Sequence, residues 1–121
     1  MESKKLALLC REYADNKKAE NLIVLDVRKL SSVTDYFVIA SGTSEPHLRA
    51  IVNEIEGRLA AENQVRPRAK DGTVAGAWVV LDFFDVIVHI IRADVRERYD
   101  LESLWGDAPQ VKVRAKKVLK R

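Results

Sequence analysis

The apolar positions of the chain recur with two different periods, and three stretches with the longer period predict helices. In residues 4–17, apolar side chains recur every three or four positions between charged ones, which predicts an amphipathic helix. A second stripe runs through residues 45–63 and begins with typical helix start signals: a hydroxyl residue, a glutamate and Pro46. Residues 94–105 carry a weaker pattern that fits one helix or two short turns.

Short runs of β-branched and aromatic residues predict the strands. Residues 21–27 and 35–41 are apolar almost throughout, and this continuity predicts central strands that are covered on both faces. Residues 77–81 and 86–91 flank the sequence Asp-Phe-Phe-Asp. This spacing predicts an antiparallel hairpin with a four-residue connection.

The order of these elements predicts an α/β fold with a mixed β-sheet flanked by helices. The hairpin must be antiparallel, whereas strands joined across a helix are usually parallel. Between the second helix and the hairpin, residues 65–76 predict a loop with a short edge strand near residues 65–69. Because 121 residues suit a single domain, we assign that domain to residues 1–108 and expect residues 109–121 to form a flexible basic tail.

Charge divides the chain into two parts. The formal net charge is +3, yet residues 1–105 hold 15 Lys and Arg against 17 Asp and Glu. The remaining residues hold Asp107 against six basic side chains: Lys112, Arg114, Lys116, Lys117, Lys120 and Arg121. This tail is open to three interpretations: a helix whose basic face meets phosphates, a disordered arm, or a solvated tail without consequence. We favour disorder in the free protein with RNA contact when docked, because such segments attract nucleic acid irrespective of base sequence.

Composition excludes several classes of protein. With 47% hydrophobic and 32% charged residues, the chain is expected to fold. No apolar run approaches the roughly 18–20 residues of a membrane span, and the N-terminus lacks a signal-peptide pattern, so we expect a cytoplasmic protein. The single Cys10 cannot form an internal disulfide. No glycine spacing matches a nucleotide-binding loop, so no nucleotide cofactor is expected.

Three aspartates and a glycine-containing loop favour a catalytic alternative. Asp26 ends one strand and Asp82 and Asp85 flank the hairpin connection, so that converging carboxylates would hold Mg²⁺ for phosphoryl transfer. Residues 42–44, at the start of the second helix, would add a phosphate cradle. Together these features predict a minimal nucleotidyltransferase. However, aspartate is also common in turns, and a hydroxyl residue before a helix is usually a cap.

The two histidines, His47 and His89, match no metal or catalytic pattern. They lie far apart in the sequence, and neither has a second ligand at i+3 or i+4. His89 is flanked by apolar residues within a predicted strand. We therefore expect its ring on a sheet face, with one nitrogen bonded to a neighbour.

Large aromatic residues with acidic neighbours are concentrated in the C-terminal half. Aromatic side chains anchor protein interfaces because they bury much area at little entropic cost, and acids around them complement a basic partner. The same side chains also fill cores. The sequence leaves Trp78, Phe83 and Phe84 equally compatible with core and interface.

Two blocks of sequence closely resemble the ribosomal silencing factor family, also called the Iojap-like proteins. The first block holds Leu-Asp-Val-Arg at 25–28, Ser-Ser-Val-Thr-Asp-Tyr-Phe-Val-Ile-Ala-Ser-Gly-Thr-Ser at 31–44, and His47. The second block holds Trp-Val-Val-Leu-Asp at 78–82, Asp-Val-Ile-Val-His at 85–89, Arg96, Tyr-Asp-Leu-Glu at 99–102 and Leu-Trp-Gly-Asp-Ala at 104–108. The resemblance extends over residues 4–108 in the same order.

The resemblance implies a translational repressor without enzymatic activity. Such a protein would bind the large ribosomal subunit, chiefly through its ribosomal protein fourteen, and sterically prevent the small subunit from joining when nutrients are scarce. The implied fold is similar to the nucleotidyltransferases but without their catalytic carboxylate set. No catalytic residue, metal or cofactor is expected, and the domain is expected as a monomer or homodimer.

The resemblance also implies which residues face the partner. They lie in the second block: Trp78, Asp82, Phe83, Phe84, Asp85, Tyr99, Leu101, Glu102 and Trp105. The Phe83–Phe84 pair departs from the family by being bulkier than its usual turn. Nothing after Pro109 is carried over, so RNA contact by the tail is expected from its charge alone.

Overall fold

Three α-helices and five strands make up the computed structural model, which describes residues 1–100, 103 and 106–113. The helices are α1 (Ser3–Asn16), α2 (Glu45–Arg58), which continues as a π-helical turn (Leu59–Asn63), and α3 (Ala93–Tyr99). The strands are β1 (Glu20–Asp26), β2 (Tyr36–Gly42), β3 (Ala69–Thr73), β4 (Trp78–Asp82) and β5 (Val86–Arg92). The first two helices, β1, β2 and the hairpin are confirmed to within a few residues.

The five strands form one mixed sheet in the order β1-β2-β5-β4-β3. The central pair β2 and β5 is parallel, whereas the other three pairs are antiparallel. This arrangement confirms the α/β class and the mixed sheet. A more detailed likeness to the nucleotidyltransferases stays a prediction.

The position of β1 differs from the prediction of two central strands. β1 is the first strand in the sheet order, and its outer edge is met by a short C-terminal segment. The backbone N–H of Asp26 donates to the carbonyl of Pro109 over 2.9 Å, and that of Val111 donates to Val24 over 2.8 Å. Residues 109–111, which begin the predicted tail, therefore lie along β1. The prediction failed because an apolar run reports covered faces and carries no information about the edges of a strand.

Helices α1 and α2 cover one face of the sheet and enclose the larger core. Tyr13 and Cys10 of α1 and Ile51 of α2 are buried there against strand residues such as Val38 and Val88. Helix α2 begins at the predicted place, because the Ser44 hydroxyl accepts a hydrogen bond from the backbone N–H of His47. The amphipathic stripes of both helices thus face the sheet.

On the opposite face of the sheet, the described residues cover only part of the strands. A smaller cluster of buried side chains, formed by Leu25, Ile39, Ile91, Val95 and Ala108, covers the region next to β1 and under α3. Helix α3 ends at Tyr99 because Asp100 has a left-handed backbone conformation with φ of 48°. Within the predicted helical range 94–105, residues 94–99 are confirmed as helix and Ser103 is also helical, while residues 101, 102, 104 and 105 lie outside the described residues.

The edge strand β3 lies four residues later than predicted. Pro67 has no N–H to donate, and the first backbone bond from this segment to β4 runs from Arg68 to Asp82. Every residue of β3 is exposed, so no apolar signal marks the strand. Gly72 sits where a Cβ would lie 2.1 Å from the carbonyl oxygen of Trp78, which makes glycine necessary in this register.

Candidate docking surface

Six half-buried side chains form a partly exposed patch on the face of the sheet opposite α1 and α2. They alternate along β2, β4 and β5 and are called here the outer face: Phe37, Trp78, Val80, Asp82, Ile87 and His89. Their strand neighbours Val79, Leu81 and Val88, which point to the helices, are buried. The outer face therefore offers an apolar surface with one carboxylate, a composition typical of protein interaction sites.

Three aromatic rings lie in a row across the outer face. The ring centroids of Phe37 and His89 are 5.6 Å apart, and those of His89 and Trp78 are 5.9 Å apart, with both pairs tilted by more than 50°. The indole Nε1 of Trp78 donates a hydrogen bond of 3.1 Å to Nδ1 of His89. This confirms the expected position of His89 on a sheet face with one nitrogen bonded to a neighbour.

Burial keeps the His89 ring neutral. It lowers the pKa of His89 from 6.5 to about 4, because a charged ring would lose its hydration among apolar neighbours. Since Nδ1 accepts from Trp78, the proton of the neutral ring lies on Nε2. The ring thus acts as a hydrogen-bond acceptor towards Trp78.

The C-terminal end of β4 carries a second cluster, formed by Asp82, Arg68 and Phe84. The Asp82 carboxylate accepts from the backbone N–H of Phe84 over 2.8 Å and lies 3.2 Å from Nε of Arg68. The Arg68 guanidinium lies 4.6 Å from the centroid of the Phe84 ring. Phe84 is 59% exposed, so this cluster adds an aromatic side chain at the border of the outer face.

Phe83 does not belong to the partner-facing residues, although it was predicted among them. Its side chain is only 8% exposed and belongs to the core between the helices and the sheet. Phe83 continues the alternation of β4 and faces the core, whereas Phe84 lies in the bend after it with a left-handed backbone, φ of 79°, and faces solvent. Asp85 is exposed, and its carbonyl accepts the backbone N–H groups of Asp35 and Tyr36.

Tyr99 ends α3 with a side chain that is 59% exposed. Nη1 of the buried Arg96, one turn earlier, donates to the carbonyl of Asn21 over 2.8 Å and to the hydroxyl of Ser41 over 2.7 Å. These bonds attach α3 to the ends of β1 and β2.

The predicted contact residues near the C-terminus are only partly described. Lys112 is exposed and comes directly after residues 109–111, which lie along β1. Several predicted contact residues lie outside the described residues: Leu101, Glu102, Trp105, Arg114, Lys116, Lys117, Lys120 and Arg121.

The three aspartates of the catalytic alternative do not form a site. Asp26 and Asp82 are on β1 and β4 with two strands between them, about 14 Å at the usual strand spacing. Arg28 holds Asp26 through bonds of 2.6 and 2.9 Å, and these lower the pKa of that carboxyl below its ordinary value. Among the described residues, no group of three His, Cys, Asp or Glu side chains is arranged to hold a metal ion.

The predicted phosphate cradle at residues 42–44 is occupied by its own helix. The backbone N–H of Thr43 donates to Nδ1 of His47 over 2.9 Å, while Nε2 of His47 lies 2.8 Å from the carbonyl oxygen of Lys17. The Ser44 hydroxyl caps α2. These bonds assign the loop to helix capping and to the connection with α1.

Four residues of the outer face were missed at the level of sequence: Phe37, Val80, Ile87 and His89. Each belongs to a strand that reads as apolar on both sides. The period-2 alternation fixes which residues of each strand share a face, but only the strand order shows that these four lie together with Trp78 and Asp82. Cys10 is buried, and burial raises the pKa of its thiol to about 12, which excludes a reactive thiolate.

Comparison with known proteins identifies the family. The sequence pattern of the family described as "Ribosomal silencing factor during starvation" matches residues 1–121. The chain belongs to this family. It is 38% identical to the ribosomal silencing factor of Bacillus subtilis over 109 residues, which cover 90% of this chain and 92% of that protein. The resemblance of the two sequence blocks to the ribosomal silencing factors is thereby confirmed.

Two further relatives extend this similarity. A crystal structure of a protein from Chromobacterium violaceum superposes with a TM-score of 0.82 at 30% identity, covering 99% of this chain and 95% of that one. The mouse protein named mitochondrial assembly of ribosomal large subunit protein 1 is 34% identical, covering 74% of this chain and 40% of its own length. Within the described residues of this silencing factor family member, no helix is long and apolar enough to cross a membrane.

Proposed function

We propose that this protein represses translation in the cytoplasm by binding the large ribosomal subunit through its ribosomal protein fourteen. The bound domain would sterically prevent the small subunit from joining and so lower translation under nutrient limitation. Membership of the ribosomal silencing factor family supports the silencing role. The name of the mouse relative, which refers to assembly of the large subunit, supports that subunit as the partner.

The observation that carries the proposal is the partly exposed apolar patch around Trp78. A stable interface buries about 800 Å² on each partner, and its binding energy is concentrated in a few large side chains near the centre. Trp78, His89 and Phe37 provide such a centre on the rigid strands of the sheet. Phe84 and Tyr99 are exposed aromatic residues outside this patch.

Charge supports a basic protein partner. Residues 1–105 carry 17 acidic against 15 basic residues, so the net charge of this part of the sequence is slightly negative. Asp85 is exposed in the hairpin connection, and Asp82 lies on the outer face, where Arg68 offsets part of its charge. Acidic side chains around an apolar centre favour a partner rich in Lys and Arg, because they steer its approach and orient it.

A steric mechanism requires affinity and bulk, and it requires no catalytic group. The two strand aspartates with charged partners, Asp26 and Asp82, are paired with Arg28 and Arg68. The minimal Mg²⁺-dependent nucleotidyltransferase therefore has no observation in its favour beyond the residue types. Residues 112–121 would contact RNA in addition, and this contact would support docking.

The experiment is co-sedimentation of purified large subunits with the protein and two variants. Trp78→Ala removes the largest side chain of the outer face, and Arg49→Ala shortens an exposed side chain on α2 in the opposite layer. We expect Trp78→Ala to weaken binding by about 1–3 kcal/mol, roughly 5- to 150-fold, and Arg49→Ala to bind normally. Normal binding by a folded Trp78→Ala variant contradicts the assignment of the outer face.

Subunit joining is measured in the same gradients. Mixed subunits with saturating wild-type protein should give a diminished peak of joined ribosomes, and Trp78→Ala should restore that peak. Binding of the protein to isolated ribosomal protein fourteen identifies the partner. An undiminished peak of joined ribosomes at saturation contradicts the silencing mechanism, whereas nucleotide transfer that requires Mg²⁺ and is lost in Asp85→Asn would establish the enzymatic alternative.

A further inference from the structure

The hydrogen bond between Trp78 and His89 joins two residues on neighbouring strands of the outer face. His89 pairs directly with Val80, and Trp78 pairs with Ile91, so the two rings are diagonal neighbours. The bond of 3.1 Å uses Nε1 of Trp78, which is the only polar atom of that side chain. The indole N–H is thus already engaged within the protein.

His89 is itself held on both sides. The Phe37 ring lies 5.6 Å from its ring centroid on β2, and the Trp78 ring lies 5.9 Å away on β4. Burial among these groups keeps the ring neutral, since it lowers the pKa of His89 to about 4. A neutral ring with Nδ1 free of a proton is the form that accepts from an indole N–H.

We propose that His89 is a positioning residue that fixes the orientation of Trp78 on the docking surface by accepting the indole N–H. The inference rests on the proposed function, because it concerns how the outer face is prepared for its partner. A bulky indole with two side-chain torsions loses rotamer freedom when it binds, and a surface that is already ordered avoids this cost. Because the indole N–H is bonded to His89, Trp78 contacts the partner through the carbon atoms of its ring.

Two substitutions of His89 separate the hydrogen bond from mere packing. His89→Asn places an acceptor oxygen near the position of Nδ1, whereas His89→Leu keeps an apolar side chain of similar size without an acceptor. The indole N–H of Trp78 is observed directly by ¹⁵N NMR, and a Trp105→Phe variant distinguishes its signal from that of the second tryptophan. Binding to purified large subunits is measured by sedimentation in parallel.

We expect His89→Leu to speed exchange of the Trp78 indole hydrogen and to weaken subunit binding, each by about tenfold, as for the loss of one partly buried hydrogen bond. His89→Asn should restore both quantities to within about threefold of the wild type. In a Trp78→Phe background, which has no indole donor, His89→Leu should have no further effect on binding. This coupling would assign the effect of His89 to Trp78.

Three results overturn the inference, and they separate it from the proposed function. If His89→Leu binds like the wild type while Trp78→Ala does not, His89 does not position Trp78. The assignment of the outer face as the docking surface is then unaffected. If His89→Asn fails as badly as His89→Leu in both measurements, the hydrogen bond is not the cause. If Trp78→Ala itself binds normally, the docking surface is wrong, and the inference falls with it.

Discussion

Nη1 of Arg96 donates a hydrogen bond of 2.7 Å to the hydroxyl of Ser41, which lies 55 residues earlier in the chain. The same nitrogen donates to the carbonyl of Asn21, whose backbone is left-handed with φ of 48°. Arg96 is only 4% exposed, so these bonds form in a site of low solvent access. One buried guanidinium thus joins α3 to the ends of two strands.

Replacing Arg96 by methionine should destabilise the domain strongly. The change leaves the Asn21 carbonyl and the Ser41 hydroxyl without this donor, and we expect the free energy of unfolding to fall by about 2–4 kcal/mol. Urea denaturation followed by circular dichroism measures it. Arg98→Met is the matched control: its side chain is exposed, and its ion pair with Asp94 is 3.9 Å long, so a change within about 0.5 kcal/mol is expected. Equal effects of both variants would refute the structural role of Arg96.

Acid should destabilise the protein through His89. In the unfolded chain His89 takes up a proton near pH 6.5, whereas in the folded protein it does so only near pH 4. Between these values the unfolded state binds more protons, so the free energy of unfolding decreases as the pH falls from 6.5 to 4. The full contribution is about 3 kcal/mol. His89→Asn should lose less stability over this interval in urea titrations, and parallel curves for the two proteins would contradict the prediction.

The neighbouring residues Phe83 and Phe84 should respond oppositely to truncation. Phe83→Ala removes a buried ring from the core and should cost about 3–4 kcal/mol of stability. Phe84→Ala removes an exposed ring and its contact with Arg68, which is worth about 0.5–1 kcal/mol. Thermal and urea unfolding of the two variants provide a direct comparison. Similar losses for both would contradict the placement of Phe83 in the core.

Two C-terminal deletions should separate stability from RNA contact. Removing residues 114–121 deletes five basic side chains but keeps the bonds of Pro109 and Val111 to β1. We expect normal stability and a modest loss of subunit binding that depends on salt concentration. Removing residues 109–121 also exposes the edge of β1 and should lower the free energy of unfolding by about 1–3 kcal/mol. Complete loss of binding in the shorter deletion would favour RNA binding by the tail as the main contact.

The helices and central strands could be predicted because their apolar patterns reflect burial. The stripe of α1 and the run of β2 each face a core, and the Ser44 cap marks where α2 begins. The exposed strand β3 buries nothing and is placed only by its hydrogen bonds to β4. The edge position of β1 was missed for a related reason: Val24 and Leu25 are buried on opposite faces, which says nothing about what lies beside the strand.

The candidate site could be predicted only in outline. Trp78 and Asp82 were singled out by residue type and by resemblance, and they lie on the same face of β4. Phe37 and His89 come from two other strands, and a half-buried aromatic residue in such a strand looks like any core residue. Their place beside Trp78 follows from the strand order β2-β5-β4, which results from the crossover through α2 and cannot be deduced from local patterns.

The segment at residues 109–111 also limits how copies of this protein can aggregate. Because it occupies the outer side of β1 from Val24 to Asp26, β3 is the only strand described by the structure whose whole outer edge is left for strand addition. Two copies joined through β3 would use both of these edges, and growth into a fibre would then depend on the short uncovered stretch of β1 at residues 20–23. The charged side chains of Arg68, Lys70 and Asp71 make even that single pairing costly.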